Sequence, residues 1–588
     1  MSDQKNLIVA VGLSILILVG FNYFYERPKS LELLKQAEIA ATQAPLTAGI
    51  QQAEPVKEIL SRQKALTKTE RVSIDALKVR GSINLKGGVL DDLVLVNYHE
   101  KPDPASPEIV LLSPLNTKEP YYVRFGWVGQ ASDQLNGQAS DLPGDDTQWK
   151  ISEKTPLQTG KPIKLQWQNS DGLKFERSFE IDDNYLFTVT DRVINTGKTD
   201  VSLVPYSEVV RVGTPVTSGY YILHEGALGV LNGRLNEFDY PKLQKTGMVK
   251  QETTGGWVGF TDKYWLVALI PDQKQPVHIS FANKPAGQSY HCGLTVDSQV
   301  VKPGQSLEFK QYVFAGAKVL QILDQYEEKM GFDHFDLAVD FGWFYFVTKP
   351  LFYVLDFLRQ ILGNMGLAII VLTVFVKLLF YPLANKSFKS MARMKALQPH
   401  IERIKEKHGD DKMRVNQEMM ELYKREKINP VAGCLPMLIQ APIFFCLYKV
   451  FFVTIEMRHA PFYLWIHDLS APDPTSFFNL FGLLPFDPPS FLMIGVLPLL
   501  MGVTMLLQQK MNPQPTDPVQ AKMMMLMPVF FTYLFASFPA GLVIYWAWSN
   551  ILTIAQQYVI TRMVPKVVPK PSPLAIAKKT SNTHKKKK

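Results

Sequence analysis

The sequence predicts a membrane protein of mixed class, in which six helical spans carry a large outward-facing β-sandwich and a cytoplasmic helical hairpin. Apolar segments long enough to cross a bilayer lie near the N-terminus and after Gly366, whereas residues 26–340 have the composition of a soluble domain. Charge is divided in the same way. Residues 26–340 hold 34 Lys and Arg against 40 Asp and Glu, a balance of −6, and the rest of the chain has a balance of +15. A uniformly basic nucleic-acid-binding protein would not divide its charge in this way.

The N-terminal segment, residues 1–25, is predicted to be a retained transmembrane anchor. Residues 7–25 are uncharged and long enough to cross a hydrocarbon core of roughly 30 Å. The alternative is a cleaved signal peptide, which would have a shorter apolar region and small residues at its end. Aromatic residues follow here instead, which is typical of a membrane interface. Residues 26–65, rich in Ala, Gln and Glu, are predicted to be a flexible tether.

Residues 66–335 are predicted to form the β-sandwich. Val72, Ile74 and Ala76 alternate with polar neighbours, and Asp171-Gly172 separates two alternating segments, which indicates a hairpin. A helical stretch over residues 317–329 closes the domain. The cysteines indicate neither a disulfide framework nor a metal site, because Cys434 and Cys446 stand roughly 18 Å apart along one helix. Cys292 is predicted to be a small buried apolar residue.

The membrane half begins with an amphipathic helix at residues 341–362, predicted to lie along the membrane surface, with a plain linker helix as the alternative. The further spans are predicted at residues 365–384, 431–453, 490–508, 523–537 and 542–560. Loop 385–429 has twelve basic residues and tail 561–588 has nine, whereas loop 456–489 has only Arg458. The positive-inside rule therefore places that hairpin loop, the tail and both termini in the cytoplasm, and the β-sandwich outside.

Lys377 is the most informative residue of the predicted spans. It lies 12 residues, or about 18 Å, into a span entered from the outside, where a cation costs roughly 2.5–3.5 kcal/mol. No predicted span contains Asp or Glu, so Lys377 is expected to find water or backbone carbonyls. The alternative is that Lys377 extends to the cytoplasmic interface. The other residues predicted to line a hydrated groove, suited to transient attraction of a polar and often acidic peptide segment, are Thr373, Gln440, Tyr545, Ser549 and Asn550.

A lone cation without a carboxylate argues against a proton relay or a coupling-ion site. A solute transporter or channel is therefore the disfavoured alternative, since it would also need polar residues across the full membrane depth. Lys449 lies near the outer end of its span, close to Glu456, and is predicted to extend to the interface. A carbohydrate-active enzyme would need His224, Glu225 and His291 to converge, and we expect no sugar binding. No catalytic motif, cofactor site or metal-ligand set is recognisable in the sequence.

Loop 385–429 is predicted to be a helical hairpin with an apolar stripe, in which Gly409 ends one helix and Asp411 caps the next. Methionine surfaces adapt to varied apolar partners, so client capture is predicted for the hairpin, with internal packing as the alternative. The tail lysines are predicted to contact either anionic lipid or ribosomal RNA phosphates. The methionines are Met391, Met394, Met413, Met419 and Met420, and the lysines are Lys578, Lys579, Lys585, Lys586, Lys587 and Lys588.

The membrane half resembles the YidC-type insertase family over about 230 residues. The matching stretches, in order, are Tyr381-Pro-Leu, Ser390-Met-Ala-Arg-Met-Lys-Ala-Leu-Gln-Pro, Gly409-Asp-Asp-Lys, Gln417-Glu-Met-Met-Glu-Leu-Tyr, Asn429-Pro, Gly433-Cys-Leu-Pro, Gln440-Ala-Pro, Pro461-Phe-Tyr-Leu-Trp-Ile-His-Asp-Leu-Ser, Met501-Gly-Val-Thr, Phe538-Pro-Ala-Gly-Leu and Ser549-Asn. The β domain looks like that of the Gram-negative members, which is a galactose-mutarotase-like sandwich in the periplasm.

This resemblance implies a non-enzymatic insertase and folding chaperone of the cell inner membrane, acting alone or with the Sec translocon. Its clients would be nascent membrane proteins, drawn into a groove that opens to the cytoplasm and to lipid, and its tail would approach the ribosome. Two departures matter. The family's groove residue is usually Arg, and the matching position here is Lys377, which keeps the charge but loses the fixed fork of the guanidinium. Residues 477–489 form an apolar extension of the outer loop to which the resemblance assigns no role.

Overall fold

The computed structural model describes residues 59–129, 141–218, 223–285, 288–409, 411–426, 428–429, 435–484, 486, 488–489, 492–513 and 518–563. The predicted first span, most of the predicted tether and the basic tail with its six lysines lie outside these residues. Residues 518–526 belong to a different compact unit from the other described residues.

The outward domain is built from strands that pair antiparallel in two sheets. In chain order they are β1 Arg71–Asp75, β2 Val79–Asn84, β3 Val89–His99, β4 Glu108–Leu112, β5 Tyr121–Gly129, β6 Lys150–Ile151, β7 Ile163–Gln168, β8 Leu173–Ile181, β9 Leu186–Asn195, β10 Val201–Val212, β11 Gly226–Leu231, β12 Arg234–Asp239, β13 Met248–Thr254, β14 Trp257–Thr261, β15 Trp265–Pro271, β16 Pro276–Lys284, β17 Ser289–Thr295, β18 Gln299–Val301 and β19 Ser306–Ala317.

The two sheets confirm the predicted β-sandwich. One sheet has the order β1-β2-β3-β5-β10-β17-β16-β13, with β4 beside β3 and β18 beside β10, and the other has the order β12-β11-β14-β15-β19-β9-β8-β7-β6. Alternate residues of β8 are buried in a shared apolar core, whereas β11 and β14 are buried along their whole length. Cys292 is fully buried in this core, as predicted.

The hairpin predicted at Asp171-Gly172 joins β7 and β8. Gly172 has φ +87°, a conformation that favours glycine because it has no Cβ. The side chain of Asn169 accepts hydrogen bonds from the backbone N–H groups of Asp171 and Leu173 and so closes the turn. Local sequence therefore determines both the position and the register of this hairpin.

A buried ion pair lies inside the sandwich. Arg177 of β8 donates to Asp191 of β9 at 2.6 Å, and the guanidinium also donates to the backbone oxygen of Gly88 at 3.1 Å. The same guanidinium lies over the rings of Phe125 and Trp149. The Arg177 side chain has no solvent exposure, so its charge depends on these groups in place of water.

Helices form the rest of the described chain. In order they are α1 Arg62–Leu66, α2 Tyr240–Thr246, α3 Leu320–Met330, α4 Tyr345–Leu362, α5 Met365–Leu379, α6 Tyr381–Ala396, α7 Gln398–His408, α8 Lys412–Arg425, α9 Leu435–Val453, α10 Val496–Met511, α11 Pro518–Phe535 and α12 Ala540–Met563. Within the part of the chain that the structure describes, no single helix is both long and apolar enough to cross a membrane alone, whereas α5 and α6, bent by 69°, meet that requirement as a pair.

The bend after α5 corrects the predicted helix over residues 365–384. The helix ends at Leu379, and α6 starts at Tyr381 with Pro382 in its first turn. Proline lacks the backbone N–H and its ring clashes with the preceding turn, so the chain changes direction here. Lys377 consequently lies in the last turn of α5.

The predicted hairpin over residues 385–429 is also divided differently. Its first arm is broken into α6 and α7 at Leu397, with Pro399 in the first turn of α7. Gly409 ends α7 with φ +54°, and the side chain of Asp411 caps α8 by accepting from the N–H of Arg414, as the sequence predicts.

Removal of the buried carboxylate in the sandwich tests its packing. Asp191→Ala leaves the Arg177 guanidinium buried and unpaired, so we expect a loss of about 3–5 kcal/mol in the free energy of unfolding. Urea unfolding of the full chain in detergent, followed by tryptophan fluorescence, measures this loss. Glu176→Ala is the matched control, because its pair with Lys174 is partly exposed and is expected to contribute at most about 1 kcal/mol. Equal losses in the two variants would contradict this account.

Candidate functional site

The ammonium group of Lys377 contacts side chains of two other helices. Its Nζ donates to Oε1 of Gln440 in α9 at 3.2 Å and to Oγ1 of Thr553 in α12 at 2.9 Å. Gln440 is one of the groove residues that the sequence predicts, whereas Thr553 is not, and water or backbone carbonyls as further partners stay a prediction. Both side chains are neutral acceptors, so the cation is solvated without being neutralised.

A tyrosine of α12 orients the amide group that contacts Lys377. Nε2 of Gln440 donates to the hydroxyl of Tyr545 in α12 at 2.6 Å, which holds the amide oxygen toward Lys377. Tyr545 is buried, and its ring also packs edge-on against Phe451. Lys377, Gln440 and Tyr545, which the sequence predicts to share a site, are therefore brought together from three helices.

The remaining predicted groove residues have other contacts. Thr373 is buried and its hydroxyl donates to the backbone oxygen of Ile369, within α5. The backbone oxygen of Ser549 accepts from the hydroxyl of Thr553. Nδ2 of Asn550 donates to Oγ1 of Thr504 in α10 at 3.2 Å. Ser549 and Asn550 lie on α12, the helix that also carries Thr553, but no hydrogen bond joins either of them to the ammonium group of Lys377.

Sequence reasoning missed Thr553 and Gln557, although a signal was present. Ser549, Thr553 and Gln557 follow each other at intervals of four along α12, and all three are buried. Nε2 of Gln557 donates to Oδ1 of Asn512, just after α10. One face of α12 thus carries polar groups from the Lys377 contact to the end of α10, and the helical spacing could have revealed it.

Lys449 has an ion-pair partner that the sequence did not reveal. Its Nζ is 2.8 Å from Oδ2 of Asp340, and its extension to the membrane interface stays a prediction. Nearby, the guanidinium of Arg458 donates to the backbone oxygen of His99 and lies over the ring of Trp265. Basic residues at the outer end of the helical half therefore contact the β-sandwich directly.

Glu456 is a buried acid at this junction. Its Oε1 has no hydrogen-bond partner among the residues that the structure describes, and burial raises the pKa of its carboxyl to about 7. Asp356 raises this pKa further, whereas the cation of Arg359 lowers it. Burial raises the pKa of the Tyr98 hydroxyl in the β-sandwich, and the Glu456 carboxylate raises it further.

The predicted client-capture methionines fall into two groups. Met413 and Met420 of α8 are exposed, with 84% and 47% of their surfaces open to solvent. Met391 instead packs with Phe388 and Ile560. Met394 and Met419 line a small core shared by α7 and α8, so for these two the alternative of internal packing holds.

The residues considered for a carbohydrate enzyme do not converge. His224 contacts the backbone oxygen of Ala227, and Glu225 accepts from Ser218 and from the N–H of Lys263. His291 pairs instead with Glu208 at 2.7 Å.

Three residues could in principle hold a metal ion, which the sequence does not predict. Ligand atoms of Glu327, His334 and Asp336 lie within 4.8 Å of one another. Lys349 and Tyr345 already donate to the Asp336 carboxylate, which disfavours a metal there.

Two family models match this architecture in order. The YidC periplasmic domain matches residues 71–354, and the 60Kd inner membrane protein matches residues 357–567. The first range holds the β-sandwich and the second holds Lys377, Gln440 and Tyr545. The chain is thus an inner-membrane protein with a large periplasmic β-sandwich and a helical C-terminal half.

Full-length relatives identify the family. Membrane protein insertase YidC of Methylobacterium nodulans is 48% identical over 585 residues, covering 95% of each chain, and that of Sinorhizobium fredii is 47% identical over 580 residues, covering 96% of each. The chain therefore belongs to the YidC family of membrane protein insertases, as the sequence motifs predict. A solved structure of an active YidC insertase covers 86% of this chain and 94% of its own, with 19% identity and a TM-score of 0.35, too low for a further conclusion about the fold.

Glu456 is predicted to make the stability of the folded chain fall as the pH rises. The pKa of Glu456 rises from an ordinary value of 4.5 to about 7 in the folded chain, so the folded state favours the protonated acid. Its contribution to stability is complete below pH 4.5 and is lost as pH rises toward 7. Glu456→Gln should therefore gain thermal stability relative to the parent chain over this range and keep a constant advantage above it. Melting temperatures in detergent measure this, and a constant difference at all pH values would contradict it.

Proposed function

We propose that the polar cluster at Lys377 forms a hydrated groove that transiently attracts hydrophilic, often acidic, segments of a client during insertion. The observation that carries this proposal is the pairing of Lys377 with two neutral acceptors, Gln440 and Thr553. No described residue forms an ion pair with Lys377, and the described membrane helices from α9 to α12 contain no Asp or Glu.

The chemistry of these partners supports a transient contact. A carboxylate forms a charge-assisted hydrogen bond with an ammonium group, about twice as strong as a bond between neutral groups. A client carboxylate can thus compete with Gln440 and Thr553 without first displacing a resident acid. The client leaves when its apolar helix partitions into lipid, since that helix gains from burial in hydrocarbon. Thr373, Ser549 and Asn550 complete the polar lining in this proposal.

The cytoplasmic hairpin supplies an apolar receiving surface in this proposal. Met413 and Met420 support the role because large apolar side chains exposed on α8 can contact varied client segments. Met394 and Met419 pack inside the hairpin, and Met391 packs it against Ile560 of α12, so these three methionines orient that surface.

We further infer six spans, with both termini in the cytoplasm and the groove open to cytoplasm and lipid. The support is the basic composition of loop 385–429 and tail 561–588 against a single basic residue in loop 456–489. The tail lysines Lys578, Lys579 and Lys585 to Lys588 would contact ribosomal RNA or anionic lipid, and the Sec translocon would be a partner for larger clients. The chain would act as a chaperone and not as an enzyme.

Complementation tests the groove. Cells depleted of their own insertase receive the parent chain, Lys377→Ala or Lys377→Arg, and insertion of a small client with an acidic outer segment is followed. We expect Arg to rescue and Ala to lower insertion at least about tenfold, because a hydrogen bond to a charged group contributes roughly 1.5–3 kcal/mol. Lys389→Ala, which removes an exposed lysine from α6, is the matched control and should rescue fully. Full rescue by Lys377→Ala at equal expression would overturn the proposal.

A second test addresses client capture. The double variant Met413→Ser with Met420→Ser removes the exposed apolar side chains of α8 but leaves the hairpin core intact. Binding of a fluorescent apolar client peptide to the full chain in nanodiscs should weaken about tenfold, since each buried side chain contributes on the order of 1 kcal/mol. Gln417→Ser, an exposed polar substitution on the same helix, should leave binding unchanged. Unaltered binding by the double variant would assign these methionines to the solvent surface only.

A further inference from the structure

The outer loop after α9 has a tightly fixed base. Oδ1 of Asp473 accepts from Nε1 of Trp465 at 3.1 Å and from the N–H and hydroxyl of Thr475, while its Oδ2 accepts from the N–H of Leu497 in the first turn of α10. Gly495 leaves room for this carboxylate, because a Cβ there would lie 2.4 Å from its carbon. Asp473 thus joins the loop base to α10.

From this base, residues 477–486 present a surface that is almost wholly apolar. We call them the apolar loop. The segment has no charged residue, and its described large side chains are between 41% and 82% exposed. These side chains are Phe477, Phe478, Leu480, Phe481, Leu483, Leu484 and Phe486. Soluble surfaces rarely expose so many contiguous apolar groups, so this one has a partner.

The backbone of the apolar loop holds an unusual conformation. Leu480 and Phe481 have φ of +50° and +58°, a region that bulky residues rarely adopt. The N–H of Phe481 donates to the oxygen of Ser476 at 2.8 Å, and the N–H of Leu484 donates to that of Asn479 at 3.0 Å. These bonds hold the turn while both side chains stay open to solvent. Strain of this kind persists where the surroundings determine it and often marks a functional contact.

A second exposed apolar pair lies beside the same base. Tyr463 and Leu464 are 55% and 80% exposed, and Leu464 also has a positive φ, +61°. They directly precede Trp465, whose indole is bonded to Asp473. The apolar loop and the Tyr463–Leu464 pair therefore both project apolar side chains from the loop base that the hydrogen bonds of Asp473 hold, which we call the clamp.

We propose that the apolar loop, with Tyr463 and Leu464, inserts into the outer leaflet of the membrane at the boundary of headgroups and acyl chains. Three observations favour lipid as the occupant. The clamp ties the loop to the start of α10, a helix within the inner-membrane family match, so the loop starts at a membrane helix end. The segment carries no charged side chain, so no buried charge would oppose its burial among acyl chains. Its phenylalanine and leucine side chains are those of peripheral membrane insertions.

The consequence is a fixed depth for α10 at the outer surface. An inserted loop, joined through Asp473 to the first turn of the helix, resists vertical displacement of that helix while a client moves past. This inference uses the membrane location of the chain, and it does not depend on the groove at Lys377.

Depth-resolved fluorescence tests the insertion. The three native cysteines are replaced by alanine, Leu483→Cys is labelled with an environment-sensitive fluorophore, and the full chain is reconstituted in vesicles. Val300→Cys is the matched control, because Val300 is also an exposed apolar residue but lies in the β-sandwich, on β18, which pairs with the first residues of β10. Quenching is measured with aqueous iodide and with lipids that carry a nitroxide near the headgroup or deep in the acyl chain. Leu464→Cys provides a second labelled position if Leu483→Cys folds poorly.

We expect the label at position 483 to be quenched by nitroxide lipids, more strongly by the shallow probe, and at least about threefold less by iodide than the label at position 300. Equal iodide quenching at the two positions, without lipid quenching, would overturn the proposal in favour of a water-exposed loop. A photo-crosslinker at position 483 that labels protein in place of lipid would overturn it in favour of a protein partner. Client insertion by the labelled chains, measured in parallel, separates failure of this inference from failure of the groove.

Discussion

The helical half depends on one constraint: the positive charge of Lys377 has to be solvated among largely apolar helices. Lys377 meets this constraint with a side-chain amide and a hydroxyl from two other helices. The amide is in turn fixed by Tyr545, so three helices must keep their relative positions for the ammonium group to stay solvated. A charge of this kind is costly in an apolar setting, and the helices around it are therefore constrained by polar contacts as well as by packing.

The divided net charge of the chain has a structural counterpart at the junction of its two halves. Cations on the helical side meet anions that precede them in the sequence: Lys449 pairs with Asp340, and Lys349 pairs with Asp324 and Asp336. Arg458 adds a contact to the backbone of His99. These contacts bind the β-sandwich to the helices through a charged boundary.

The features that the sequence predicted are those that depend on residues close together in the chain. Asp171-Gly172 predicted a hairpin because a turn with positive φ needs few other residues, and Lys377, Gln440 and Tyr545 stood out as polar groups in apolar segments. Thr553 was not singled out, although its spacing of four from Ser549 places both on one face of α12, because the polar side chain of that face that contacts Lys377 depends on the rotation of one helix against another. The ion pair of Lys449 was not predicted because its partner Asp340 lies 109 residues away. Pro382 could have indicated the break between α5 and α6, but the apolar residues before it suggested one continuous helix.

The two lysines of the membrane helices show how the same side chain can serve opposite purposes. Lys449 is paired with a carboxylate, and breaking a partly buried ion pair leaves an uncompensated charge, so this pair favours one fixed arrangement. Lys377 has only neutral partners in the described structure, and exchanging them for a carboxylate improves its electrostatic energy. If Lys377 had a resident acid, a client's acidic segment would have to compete with a tethered anion at high effective concentration. The lack of an acid in the described membrane helices is thus the feature that keeps this cation open to transient partners.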